Sequence, residues 1–399
     1  MPLRTEPNAR HLPAADEVVG RDAAVVLTDP GRHWRDMTAP GERSVTMGRV
    51  LSRLIALVWQ PTAKSLRGWA LASVIANAVI ISTGAAVRLS SSGLGCPDWP
   101  TCTKTSAVAA QSAGQTTLNT WIEFGNRLLN FPLVAIAGLT FIAFLRYYLA
   151  HGRERKDLLW LSAILPLGVI AQAVLGGILV LLKLPPALVA AHFLLSTAII
   201  LTSAVVLHAR ASALVATEAG APAAPPVRAD LRVLAGLLAA ITAVMLAAGT
   251  VVTGTGPLAG TTIDEHGHRT TVPRFHFSLE SVTQLHADIG WFIGALAVAL
   301  VVGLRFAGGS RRTVRLGWIV LIGLGVQGVI GYVQYFNHLP AGLVWVHVSS
   351  AVILWIFVLQ LCLSTGTGLR RPATRPALGD DQAASESAAT SPPIKTTIL

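Results

Sequence analysis

Eight apolar runs divide the chain, at residues 69–89, 122–145, 158–182, 188–208, 233–253, 282–304, 317–336 and 343–364. Each approaches or exceeds the roughly 20 apolar residues that a helix needs to cross about 30 Å of hydrocarbon. The pattern predicts an all-α, polytopic membrane protein with eight transmembrane helices. Residues 1–68 are polar, with Arg and Pro and no run of spanning length or secretory signal, and are expected to be largely disordered. From Met47 onward the sequence has the character of a basic amino terminus, so 1–46 is expected to be disordered or to precede the true start. LSRLIALVW (51–59) has the composition of a short amphipathic stretch lying on a membrane surface. The Pro, Ala, Ser and Thr tail, 366–399, is expected to be disordered.

Polar and small residues inside the runs repeat. With a shift of 155, GVIAQAVLGGILVLLKLPPALVAAH (168–192) lies over GVQGVIGYVQYFNHLPAGLVWVH (325–347), which matches Gln172 with Gln327, Gly176 with Gly331, Pro185 with Pro340 and His192 with His347. The second and sixth runs fit with a shift near 160, setting Asn126 opposite His286. An even number of spans in each half makes the repeat parallel. The expected plan is two pseudo-repeated four-helix bundles, 69–208 and 233–365, joined by the Ala/Pro-rich linker 209–232.

Composition agrees: 52% of the residues are hydrophobic and 13% charged, and the mean hydropathy is +0.58. The net charge of +11 then belongs to loops beside anionic lipid rather than to a nucleic-acid surface. The 146–156, 209–232 and 305–315 connections and both flanks carry several Arg or Lys each, whereas 183–187 has one Lys and 336–342 none. That bias places both termini in the cytoplasm and the loop at 90–120 outside the cell membrane. Of three cysteines, Cys362 sits in an apolar run, while Cys96 and Cys102 share that outer loop. The pair suits a disulfide or a redox-active couple. A disulfide over so short a loop contributes about 2–3 kcal/mol in the chain-entropy picture. With no CxxCH signature, any haem is held non-covalently.

The chemistry gathers where the runs begin. WIEFGNR (121–127) places Glu123, Asn126 and Arg127 within about one helical turn. A carboxylate at that depth needs a task or a partner. It could be ion-paired with Arg127 or Arg88, or it could act beside a reacting group. His192, His286 and His347 occupy corresponding places in later runs. Singly each could be an interhelical hydrogen bonder, but together they point to haem: His286 with His347 as paired axial ligands, and His192 as a ligand with Asn126, a poor one, opposite. Arg88, Arg127, Arg274 and His276 are candidates for propionate or polar support.

GAAVRLSSSGLGCPDWPTC (84–102), the WIEFGNR segment, the His192 and His347 helices after their Pro turns, and His286 together resemble the haem A synthase family of cytochrome oxidase assembly (CtaA/Cox15-like), in its actinobacterial type. The resemblance covers roughly 69–365. It implies oxidation of the methyl on ring position 8 of haem O to a formyl group, through successive hydroxylations, with water as the oxygen source. It places the cofactor haem b on His286 and His347, the substrate haem O by His192, and the family's essential glutamate at Glu123; the Cys96 and Cys102 pair is shared with bacterial subtypes. It implies haem O synthase as supplier, cytochrome oxidase assembly machinery as recipient, an electron partner of unspecified identity, and room for a homo-oligomer. One departure stands out: the family pattern has histidine where this chain has Asn126. Other classes compatible with the paired histidines are a haem b electron-transfer cytochrome and a non-enzymatic haem transporter or chaperone.

Overall fold

Among the described residues, eight helical spans, each long and apolar enough to cross a membrane, make up most of the chain. The computed structural model describes residues 52, 55–109, 116–221, 227–263 and 269–366. Apart from Ser52, these belong to one compact unit, Leu54–Leu399. Of the disorder expected for 1–68 and for the tail, residues 1–51, 53–54 and those beyond Gly366 lie outside the described residues, whereas 55–59 and the stretch from Ala63 are helical. Of the amphipathic stretch 51–59, residues 55–59 are helical, with Val58 buried and Trp59 exposed.

The first span, α1 (Ala63–Leu89), starts earlier than its apolar run. Thr62 caps it: the Thr62 hydroxyl accepts from the Ser65 N–H at 3.2 Å, and the Ser65 hydroxyl accepts from the Thr62 N–H at 2.9 Å. The second span is broken into α2 (Thr117–Leu128) and α3 (Asn130–Ala150). Pro132 supplies the reason, since it has no N–H to offer the Leu128 carbonyl. Next come α4 (Lys156–Leu181) and a fourth span of three pieces, α5 (Pro186–Leu194), a π-helical segment (Leu195–Leu201) and α6 (Thr202–Glu218). The other four spans are α7 (Ala229–Thr255), α8 (Leu279–Phe306), α9 (Arg311–Phe336) and α10 (Ala341–Ser364). Two short antiparallel strands, β1 (Thr261–Ile263) and β2 (Arg269–Thr271), lie between α7 and α8. The pattern of apolar runs carries no signal for this hairpin. The helix ending at Glu218 also takes in residues expected to be linker.

Helix α1 packs on α3 and α6, and α4 packs on α3 and α6; in the same way α7 packs on α8 and α10, and α9 packs on α8 and α10. Contacts of α10 with α1 and α6, and of α5 with α7, join the two sets. Direct bonds reinforce this seam. The Ser82 and Ser349 hydroxyls lie 2.6 Å apart, and the Trp345 indole donates to the Ser82 carbonyl at 3.0 Å. The Trp355 indole donates to the Thr197 carbonyl at 3.2 Å, inside the π-helical segment, where the wider turn needs an outside donor.

The turns before α5 and α10 share one backbone. Lys183 and Leu184 have φ of 62° and 61°, and His338 and Leu339 have φ of 60° and 59°. Left-handed conformation in non-glycine residues is unfavourable by roughly 1–2 kcal/mol each. Here it is compensated by closing bonds from the Leu184 N–H to the Leu179 carbonyl (2.9 Å) and from the Leu339 N–H to the Gln334 carbonyl (2.8 Å). Pro185 and Pro340 then stand at the N-caps of the next helices, where no N–H is needed. Each turn sets a histidine seven residues on, at His192 and His347.

Candidate functional site

A cavity of about 1720 Å³ runs between the spans at the end of the bundle that carries the cysteine loop. Single small-molecule sites typically fall at about 300–1,000 Å³, so this one has room for more than one bulky ligand. Glu123, Asn126, His192, His286 and His347 all line it.

The best-defined part lies between α8 and α10. The His286 and His347 ring centres are 6.4 Å apart with an interplanar angle of 62°. A metal–imidazole bond of about 2 Å on each side, with the bonding nitrogen about 1 Å from its ring centre, requires centres about 6 Å apart. The Nδ1 atoms of His192, His286 and His347 are buried without hydrogen-bond partners, which leaves Nε2 as the accessible nitrogen of each. Hydrogen bonding between helices through Nδ1 is therefore not their role in this structure. Glycines make room for the rings. A Cβ on Gly249 would meet the His286 ring at 3.3 Å, one on Gly331 the His347 ring at 3.5 Å, and one on Gly176 the His192 ring at 3.3 Å.

Two amides brace the histidine helices in the same way. Gln172 donates to the His192 carbonyl (2.8 Å) and to the Ser196 hydroxyl (2.6 Å). Gln327 donates to the His347 carbonyl (3.3 Å) and to the Ser350 hydroxyl (2.8 Å). Both glutamines line the cavity, and each keeps a buried carbonyl oxygen without a partner. Their match in the internal repeat was visible in the sequence, but their bracing role was not.

Glu123 is 5% exposed. Its Oε2 accepts from the Cys96 N–H at 2.9 Å, and its Oε1 accepts from Arg127 Nη2 at 2.7 Å and Nε at 3.1 Å. Arg127 also donates to the carbonyls of Cys96 (2.8 Å), Asp98 (3.1 Å) and Thr101 (3.2 Å). A guanidinium has five N–H donors, and all of them are taken here. Arg127 thus has none left for a ligand; of the roles the sequence allowed it, the ion pair with Glu123 is the one formed. It clamps the cysteine loop onto α2. That loop is closed by a Cys96–Cys102 disulfide with a Cα–Cα distance of 4.4 Å, and both cysteines are buried.

The other expected support residues separate. Arg88 lines the cavity and donates from Nη2 to the Thr253 carbonyl at 3.3 Å, while its buried Nε has no partner. Arg274 bonds the Pro257 carbonyl at 3.3 Å, and His276 is exposed; neither lines the cavity. His266 and His268, close to them in sequence, lie outside the described residues.

The loop is seated tightly. A Cβ on Gly95 would lie 2.7 Å from the Asn119 backbone oxygen, too close for either backbone to remain in place. Gly95→Ala is expected to destabilise the protein by about 1–3 kcal/mol. The thermal unfolding midpoint in detergent would register that loss, and an unchanged midpoint would refute it.

A family model described as COX15-CtaA, cytochrome oxidase assembly protein, matches residues 67–359. Among curated proteins, the chain is similar to "Heme A synthase" of Geobacillus thermodenitrificans, 29% identical over 28% of this chain and 32% of that protein. It is also similar to "Heme A synthase" of Lysinibacillus sphaericus (26% identical, 30% of this chain, 36% of that protein) and of Geobacillus kaustophilus (29% identical, 29% and 33%). The matched stretch spans about a third of the length of each of these relatives, and it distinguishes no subtype. The family model covers most of the chain, bringing together α1, the clamped glutamate and the histidine helices: this protein belongs to the COX15-CtaA family of cytochrome oxidase assembly proteins.

Proposed function

We propose that the chain is a haem A synthase, an oxidoreductase that converts the ring-position-8 methyl of haem O to a formyl group. The observation that carries the reading is the 6.4 Å spacing of the His286 and His347 rings in a cavity that also holds Glu123 and His192. The change consumes one water per methyl and releases four protons and four electrons to an acceptor outside the chain. His286 and His347 would hold a haem b, which when bound would supply a route for those electrons.

The remaining work falls to side chains. His192 holds the substrate iron through Nε2, while Gln172 fixes the backbone that carries the ring. Arg88, with most of its N–H donors uncommitted, is the cation suited to a propionate. Glu123 already accepts three hydrogen bonds. It also lines the cavity, where it can orient a water or face positive charge developing at the methyl. The clamp holds that carboxylate still. The basic connections at the far end favour a cysteine loop outside the cell membrane. Haem O synthase and the oxidase assembly machinery are the partners this reading implies.

Co-expression with a haem O supply, followed by pigment extraction, tests the reading. Haem A in the extract supports it. Unconverted haem O with a b-type spectrum would make the chain an electron-transfer cytochrome, and unconverted haem O without one would make it a carrier.

A further inference from the structure

The two halves of the cavity differ at the position of His286, with a consequence for ligand binding. With a shift of 165, α1 lies over α7, and the paired positions line the cavity together: Asn77 with Thr242, Ile81 with Leu246, Gly84 with Gly249. Gly249 is the glycine that the His286 ring rests against. Its counterpart Gly84 has nothing within 4 Å of the space a Cβ would take. The glycine that admits an imidazole has been kept, but the residue in the place of His286 is Asn126. Asn126 lines the cavity, and its Oδ1 is buried without a partner.

A carboxamide is about one bond shorter than the reach of an imidazole Nε2, and its nitrogen has no lone pair to offer a metal. The side chains that ligate haem iron are His, Cys, Met and Tyr. We propose that the first-half site holds iron from the His192 side only, and that Asn126 stands over an open face that takes a small neutral lone-pair donor of one or two heavy atoms. The carboxamide's Nδ2–H and Oδ1 provide a hydrogen bond to that ligand, and the space beside Gly84 accommodates it. The second-half site, closed by two histidines, takes no such ligand. Asn126 is thus a specificity-determining residue, which makes the two repeat-related sites unequal.

This inference rests on the haem reading above, and carbon monoxide distinguishes the failure of one from the failure of the other. The reduced, haem-loaded full-length protein is expected to bind one carbon monoxide per two haems. Asn126→His is expected to weaken that binding at least tenfold and to turn the five-coordinate spectrum into a second low-spin one. Asn126→Ala keeps the open face, so it should still bind carbon monoxide, with a shifted C–O stretching frequency because the hydrogen bond is gone. Two bound haems with no carbon monoxide binding would overturn this inference alone. Unaltered binding in Asn126→His would do the same. A protein that stays colourless under ample haem supply would overturn both.

Discussion

Glu123→Gln is expected to leave haem bound in both halves while lowering haem A formation by at least about 100-fold, the scale on which a positioned carboxylate contributes. Glutamine keeps an acceptor for the Cys96 N–H, but it replaces the charge that faces Arg127 and the cavity. The clamp itself must be separated from the chemistry. Arg127→Lys removes the planar fork that reaches the Cys96, Asp98 and Thr101 carbonyls while leaving the carboxylate in place. It should lower the unfolding midpoint and reduce turnover less than Glu123→Gln does. Extracted haem A, normalised to bound haem, decides. Normal output from Glu123→Gln would remove the carboxylate from the mechanism, and equal losses in both variants would reduce Glu123 to a loop anchor.

The second large effect is expected from His347→Ala. Neither His286 nor His347 uses its buried Nδ1 in a hydrogen bond, so removing one ring breaks no Nδ1-mediated link between helices. Gln327 bonds the backbone carbonyl of residue 347 and is untouched. Folding should survive, whereas the low-spin b-type spectrum should fall to less than about a tenth, because a single remaining imidazole no longer closes the site. His286→Ala should behave alike. Retention of the full low-spin spectrum in either variant would show that the iron is held elsewhere.

The sequence carried much of this arrangement because lipid restricts what a chain can do. Runs of about 20 apolar residues admit few alternatives to helices, and polar residues inside them stand out against a uniform background. That is why Glu123, His192, His286 and His347 could be singled out, and why the Gln172–Gln327 and Pro185–Pro340 matches exposed the repeat. The features that were not legible depend on three-dimensional neighbours. The break at Leu129 follows from Pro132, a local cue outweighed by the apolar pattern around it. The π-helical segment at Leu195–Leu201 is served by Trp355, more than 150 residues away. Arg127 could be a partner of Glu123 or of a ligand on sequence alone, because composition cannot show that every donor is already committed. Arg274 and His276 shared its chemistry and the same apparent depth, yet the segment before α8 leaves them off the cavity.

The central claim is that the His286 and His347 imidazoles close on one iron. A diffraction experiment on coloured crystals at the iron absorption edge tests it most directly. The account predicts an anomalous peak between the two rings, near the midpoint of centres 6.4 Å apart. A peak away from that midpoint, or rings turned from one another in crystals that retain haem, would contradict it.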